Sequence, residues 1–181
     1  MDDHGLGRAA IVNARTGQRM RFEEPGSAEV LRIECWSPAS EAREPEHTHP
    51  RQESRFELLA GELVFELDGV ARTVQAPGDV TIPSGARHRF WNPGPEEAHY
   101  IQEFRPALET RAFFELLFHL ANEGRLDDKG MPALLDIPAM LDASSDVLRP
   151  TSPPWPVLRL TAALLRPLAA IRGRSAPTRS R

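Results

Sequence analysis

The chain has 181 residues, with 22 lysines and arginines against 26 aspartates and glutamates, a net charge of −4 and one cysteine. That length suits a single domain with its own core, and the acidic balance gives no overall basic character that would suggest nucleic acid. Cys35, being alone, excludes an intrachain disulfide and any thiolate cluster for zinc.

The first residues, Met1-Asp2-Asp3-His4-Gly5, are acidic and lack an apolar run, so a cytoplasmic location is the expectation. Glu29 to Ser37 reads as a strand on which Cys35 is a small buried residue. A polar turn then leads to Pro-Glu-His-Thr-His-Pro. On a strand residues i and i+2 project to one side, so His47 and His49 can aim both imidazoles at one point. Histidine is the commonest metal ligand, and neutral imidazole suits first-row ions.

Arg55 to Val70 carries strand and hairpin signals. Asp68-Gly69 between apolar residues predicts a tight turn in which both central positions need positive φ. A strand from Ala71 to Gln75 ends at Ala-Pro-Gly-Asp, and Val80-Thr81-Ile82 runs into Pro83-Ser84-Gly85. His88 follows on a fresh strand with Phe90 on the same face. Trp91 alternates with them and should face away; Trp36 and Trp155 are read as structural. This succession predicts a small antiparallel barrel, with His88 as the third arm of a metal site. By parity Phe56, Leu58, Val64, Ile82 and Phe90 form an apolar wall, and Ser54 shares the face of Phe56 and Leu58. On the strand His99 to Phe104, parity leaves open whether Gln102 or Glu103 points inward.

From Glu109 the period becomes helical. Thr110 is placed to cap, and Phe113, Phe114, Leu116, Leu117 and Leu120 form a stripe ending near Asn122-Glu123-Gly124. A second short helix is expected over Met131 to Leu141, interrupted at Pro138, and a third over Val157 to Ile171. The third is too short and too charged to span a bilayer. Its apolar residues suit packing on the barrel or a sister subunit, or contact of residues 157–181 with an anionic membrane surface, since from Val147 onward there are seven arginines and no acid. The expected organisation is a barrel over 1–106, a helical extension over 107–172 and a short basic tail over 173–181 without fixed structure.

Pro83-Ser84-Gly85-Ala86-Arg87-His88-Arg89-Phe90-Trp91-Asn92 resembles the P-x-G-x-x-H-x-x-x-N portion of the second motif of the cupin superfamily, although Gly78 precedes it one residue closer than that motif has it. The first motif, G-x5-H-x-H-x3-4-E-x6-G, is matched at His47, His49 and Gly61; Glu41 stands at its first glycine. The similarity covers roughly residues 8–106. Val12-Asn13-Ala14-Arg15-Thr16-Gly17-Gln18 and Arg105-Pro106-Ala107-Leu108 further resemble a group of small bacterial single-domain cupins with helical tails. The resemblance implies a mainly β jelly-roll barrel, a double-stranded β-helix, with C-terminal helices.

It also implies a fourth, carboxylate ligand at position 54, where this chain has Ser54. Glu53 lies one residue early, facing outward by parity unless a bulge at the strand's start turns it back. Two ligand sets therefore stand open: His47, His49, Glu53 and His88, or the three histidines with open positions. The cofactor expected is one mononuclear divalent metal, iron first and manganese, nickel, zinc or copper as alternatives. Ser54, Phe56, Leu58, Phe90 and Gln102 are the expected substrate pocket, suited to a small organic molecule. Three functions follow: a metal-dependent oxygenase or dioxygenase, less favoured as an isomerase or cyclase; a non-catalytic small-molecule binding or sensing module; and a membrane-associated scaffold. A homodimer is the expected assembly.

Overall fold

The computed structural model describes residues 9–40 and 43–171. Its strands, in chain order, are β1 (Ile11–Val12), β2 (Arg19–Phe22), β3 (Leu31–Ser37), β4 (His47–Thr48), β5 (Glu53–Ala60), β6 (Glu62–Leu67), β7 (Val70–Gln75), β8 (Gly78–Ile82), β9 (His88–Trp91), β10 (Ala98–Arg105) and β11 (Arg149–Pro150); the helices are α1 (Thr110–Asn122), α2 (Ile137–Ser144) and α3 (Trp155–Ile171). They form two antiparallel sheets, ordered β1-β2-β3-β10-β5-β8 and β11-β4-β9-β6-β7.

Alternation of side chains decides which face each sheet buries. Along β5, Ser54, Phe56 and Leu58 are buried and Glu53, Arg55 and Glu57 exposed; along β3, Leu31, Ile33, Cys35 and Ser37 are buried. β6 has the opposite phase to the one expected from parity, because a single residue, Gly61, joins it to β5. Leu63 and Phe65 face inward, and Val64, expected in the wall, lies on the outer side. The inward rings of Phe56, Phe65, Phe90 and Tyr100 meet between the sheets, Phe56 lying 4.9 Å from both Phe65 and Phe90 between centroids. Cys35 lies in the same core, fully buried, and burial pushes its thiol pKa far up, so it acts as a small apolar residue.

The β6–β7 hairpin turns at Asp68 and Gly69 with φ of 46° and 84°, the primed geometry expected of Asp-Gly. Two helical expectations need correction. Thr110 does not cap: Glu109 is the N-cap residue, and the Thr110 hydroxyl donates 2.7 Å to the Ala107 carbonyl while accepting 2.7 Å from Gln52 Nε2. Pro138 does not interrupt a helix but sits in the first turn of α2, where its missing N–H costs nothing, behind a 3₁₀ turn over Leu134–Asp136.

α1 buries Phe113, Phe114, Leu116, Phe118 and Leu120 in one continuous core with the barrel. α3 packs on α2 in a smaller cluster with Ile137, Leu158 and Ala162. Residues 107–171 thus close over one end of the barrel of the same chain; residues 173–181 lie outside those described. Among the described residues no helix is long and apolar enough to cross a membrane.

Gly61 has φ of +73°, and a Cβ there would stand 2.8 Å from the Glu97 carbonyl oxygen and 2.9 Å from Ala98 Cα. Gly61→Ala is expected to cost roughly 1–3 kcal/mol of stability, seen as a lower urea midpoint at unchanged slope. An unchanged midpoint would show that the turn relaxes around a side chain.

Candidate metal centre

β4 and β9 pair with His47 directly opposite His88, which puts both side chains on one face. His49 follows β4 and is held by the neighbouring turn: the Gly85 N–H donates 2.8 Å to the His49 carbonyl, and Ser84 Oγ donates 3.0 Å to that of Pro50. This is the structural use of Pro83-Ser84-Gly85. Asn92 ends the motif structurally, its Nδ2 donating to the carbonyls of Ser37 and Glu96.

The three imidazoles converge. One ligand nitrogen from each lies within 4.8 Å of the others, and ring centroids are 4.4 Å apart for His47 and His88, 5.0 Å for His49 and His88 and 5.1 Å for His47 and His49. Imidazoles sharing one ion at about 2.1 Å stand up to about 4.2 Å apart at nitrogen, so small ring rotations bring them into range.

Each Nδ1–H donates to a main-chain carbonyl: His47 to Pro45 at 2.8 Å, His49 to Val147 at 2.6 Å and His88 to Ala86 at 3.0 Å. These bonds fix one tautomer on all three rings and leave every Nε2 with a lone pair, the arrangement that metal-binding histidines use. Burial, with mutual repulsion added at His47 and His49, lowers all three pKa values, His49 to about 4. The rings are therefore neutral at pH 7 and need shed no proton to ligate. The donor set fits a first-row divalent ion.

Glu53 lies apart from the histidines. It is exposed on the outer side of β5, paired in register with Arg105, and outside the grouped side chains. No bulge turns it inward, because the β5–β10 register shifts only at the other end, between His99 and Tyr100. Ser54 occupies the inward position and accepts 3.2 Å from Gln102 Nε2. A neutral serine and amide thus stand where the motif has a carboxylate.

The cavity above the histidines has about 1100 Å³ of empty space, solvent at its mouth included. Phe90 and Gln102 line it as expected. Ser54, Phe56 and Leu58 do not; they lie deeper, in the core between the sheets. Phe104 lines the cavity, and so do Phe113 and Phe114 from α1, Met140 from α2, and Trp155 and Leu158 from α3. Glu103, left open beside Gln102, faces the other way and bonds Arg32 and Arg105. Trp91 faces away from the histidines, with the Arg43 guanidinium 4.3 Å over its ring. Two charged residues missed from sequence also line the cavity. Arg15 donates 2.6 Å to the Asp128 carbonyl, and Glu44 is a half-buried carboxylate whose pKa burial pushes up to about 7, with Arg15 opposing the shift. Their only signal was position, in the lead-in turns to β2 and β4.

With this geometry in view, comparisons with known proteins become informative. Residues 37–102, from the last residue of β3 to Gln102 in β10, match the family described as the cupin domain. An RmlC-like cupin from Shewanella frigidimarina superposes with a TM-score of 0.51 at 20% identity, covering 61% of this chain and 96% of that one. The chain carries a cupin domain over residues 37–102. This cupin is also 28% identical over 119 residues to an oxidoreductase of Arthrobotrys oligospora, covering 61% of this chain and 46% of that protein. It is 38% identical over 61 residues to polyketide synthase CurC of Streptomyces cyaneus, covering 34% and 40% respectively. The chain spans less than half the length of these curated relatives.

The shifted pKa values imply an opposed pair of pH effects in the metal-free cupin. Histidines with folded pKa values below the unfolded 6.5 contribute stability that is complete above pH 6.5 and lost as pH falls toward 4. Glu44, with its folded pKa raised to about 7, contributes stability that is complete below about pH 4.5 and lost as pH rises through 7. Glu44→Gln should therefore gain on the parent as pH rises from 5 to 8, on the order of 1–3 kcal/mol in thermal or urea unfolding. A difference that stays constant with pH would refute the assignment.

Proposed function

We propose that this cupin is a metal-dependent oxidoreductase of the oxygenase type, acting on a small organic molecule held between the barrel mouth and the helical extension. One observation carries this reading: three neutral imidazoles, oriented by main-chain carbonyls, converge under an apolar cavity with no protein carboxylate among the grouped side chains. Structural metal sites are closed by four protein ligands, whereas three ligands leave positions for exchangeable molecules. His47, His49 and His88 would hold the ion, which would supply Lewis acidity and, as iron, redox chemistry with oxygen. The similarity to an oxidoreductase of Arthrobotrys oligospora supports the same class.

The chain's own residues supply the rest. Phe90, Phe104, Phe113 and Phe114 exclude water and present ring faces and edges to a substrate. Glu44, poised near neutrality in the same cavity, can hold or release a proton at its carboxylate. Arg15 sets the charge at the mouth. Glu44 also favours a second reading, metal-assisted isomerisation or cyclisation without oxidation, and the similarity to polyketide synthase CurC is in keeping with it.

Protein purified without added metal is expected to carry close to one iron per chain by elemental analysis, falling below about a tenth of that in His47→Ala and in His88→Ala. In the anaerobic ferrous protein, nitric oxide is expected to bind the iron and give its high-spin electron paramagnetic resonance signal, reporting an open position. A parent that stays empty after reconstitution with ferrous, manganous and nickel ions would end the metal reading. A metal that refuses nitric oxide would end the oxygenase reading and leave isomerisation or cyclisation.

A further inference from the structure

α3 buries one narrow face, Leu158, Ala162 and Ala169, against α2 and the preceding turn. At 100° per residue the opposite face carries Val157, Leu160, Leu164, Leu168 and Ile171, all exposed, Leu164 at 70% and Ile171 at 82%. The positions between them on that face, 156, 163, 167 and 170, are proline or alanine, so no polar group interrupts it. Arg159 and Arg166 stand together along one border, and Arg166 is pinned to Asp142 of α2 by two bonds of 2.6 and 3.0 Å. This ion pair and the buried face fix the helix to the body with its apolar side outward. A helix that is apolar on both faces needs a second covering besides its own domain.

Charge indicates what covers it. Residues 147–181 contain seven arginines and no acid, a charge of +7; with the whole chain at −4, the other 146 residues carry −11. The apolar face therefore sits in a strongly positive stretch of a chain that is acidic overall. A second copy pairing through α3 would bring two acid-free, arginine-rich stretches together, with Asp142 offsetting only Arg166 on each. An anionic lipid surface meets both features, taking the leucines into its interfacial zone and the arginines among its headgroups. At 17 residues α3 is about 26 Å long and is not a span, so it would lie in the plane of the surface.

We propose that the outer face of α3 is a docking surface for anionic membranes and holds this cupin at a lipid–water boundary. Since α3 also lines the cavity through Trp155 and Leu158, the roof of the site and the lipid-facing element are one helix. The proposal does not depend on the metal or on catalysis.

The test is flotation of the full chain with vesicles of phosphatidylcholine containing one fifth phosphatidylserine, beside vesicles of phosphatidylcholine alone, with sedimentation of the lipid-free protein in parallel. The expected result is at least tenfold stronger partitioning to the anionic vesicles, weakened in 1 M salt, where charge is screened within about 3 Å, and a further loss of at least tenfold in Leu160→Asp/Leu164→Asp. Both sites are exposed, and an unchanged thermal midpoint of that variant confirms that the fold is kept. No binding to either vesicle overturns the proposal, as does binding indifferent to phosphatidylserine. A lipid-free dimer that the double variant converts to monomer also overturns it, by assigning the face to a second copy. Arg159→Gln, which leaves the apolar face untouched, should reduce anionic binding alone.

Discussion

The 2.6 Å bond from His49 Nδ1 to the carbonyl of Val147 joins residues 98 positions apart, and the rest of the site depends on it. A carbonyl acceptor fixes which nitrogen carries the proton and where the other points. His47 and His88 take their acceptors locally, two residues upstream, from Pro45 and Ala86. His49 cannot, and only the returning chain supplies its acceptor. Val147 lies between α2 and β11, and β11 pairs with β4 so that Pro150 stands opposite His47 and Arg149 opposite Thr48. The extension is thus an added strand on the sheet that carries the ligands, and it orients the third ring. Without it the barrel would hold a histidine pair and a loosely aimed third ring.

The same return builds the pocket. A jelly-roll mouth alone would leave the imidazoles facing water. Here α1 lays Phe113 and Phe114 over the opening, and α2 and α3 close behind it. Gln52 ties the two parts together. It is fully buried at the start of β5, and its Nε2 donates to the carbonyls of Pro106 and Ala107 and to the Thr110 hydroxyl at the head of α1. Barrel and α1 share one core, so α1 is held over the cavity by the packing that fills the barrel.

The barrel and the ligand trio were legible in the sequence because their signals are local. Alternation along β5 and β9, the Asp68-Gly69 turn and the spacing of His47, His49 and His88 are each set by a few neighbouring residues. Parity also had Ser54 inward and Glu53 outward, and the structure follows parity. The pocket was not legible. Assigning it to Phe56 and Leu58 assumed that the barrel interior is empty below the histidines, whereas those side chains meet Phe65, Phe90 and Tyr100 and fill it. The space lies above, between elements distant in the chain, and no local pattern reports which helix face will meet a barrel mouth. Val64 failed for a simpler reason: the one-residue link at Gly61 resets the phase of the alternation.

Replacing the motif's carboxylate by Ser54 and Gln102 changes the electrostatics more than the geometry. Three neutral imidazoles would leave a divalent ion with its full charge in a largely apolar cavity, where an uncompensated charge is costly. A negative group must then come from elsewhere, and the chain offers Glu44 on the cavity wall, ordinarily half-protonated near pH 7 because burial opposes its ionisation. A cation held by the histidines would favour the ionised form, so ion binding would promote loss of the Glu44 proton. A substrate hydroxyl that binds as its anion would offset the same charge and would leave its proton for Glu44 to take up. With a neutral ligand set, the protonation state of Glu44 would follow what fills the cavity, which suits a carboxylate outside the histidine trio to carrying a proton in the proposed chemistry.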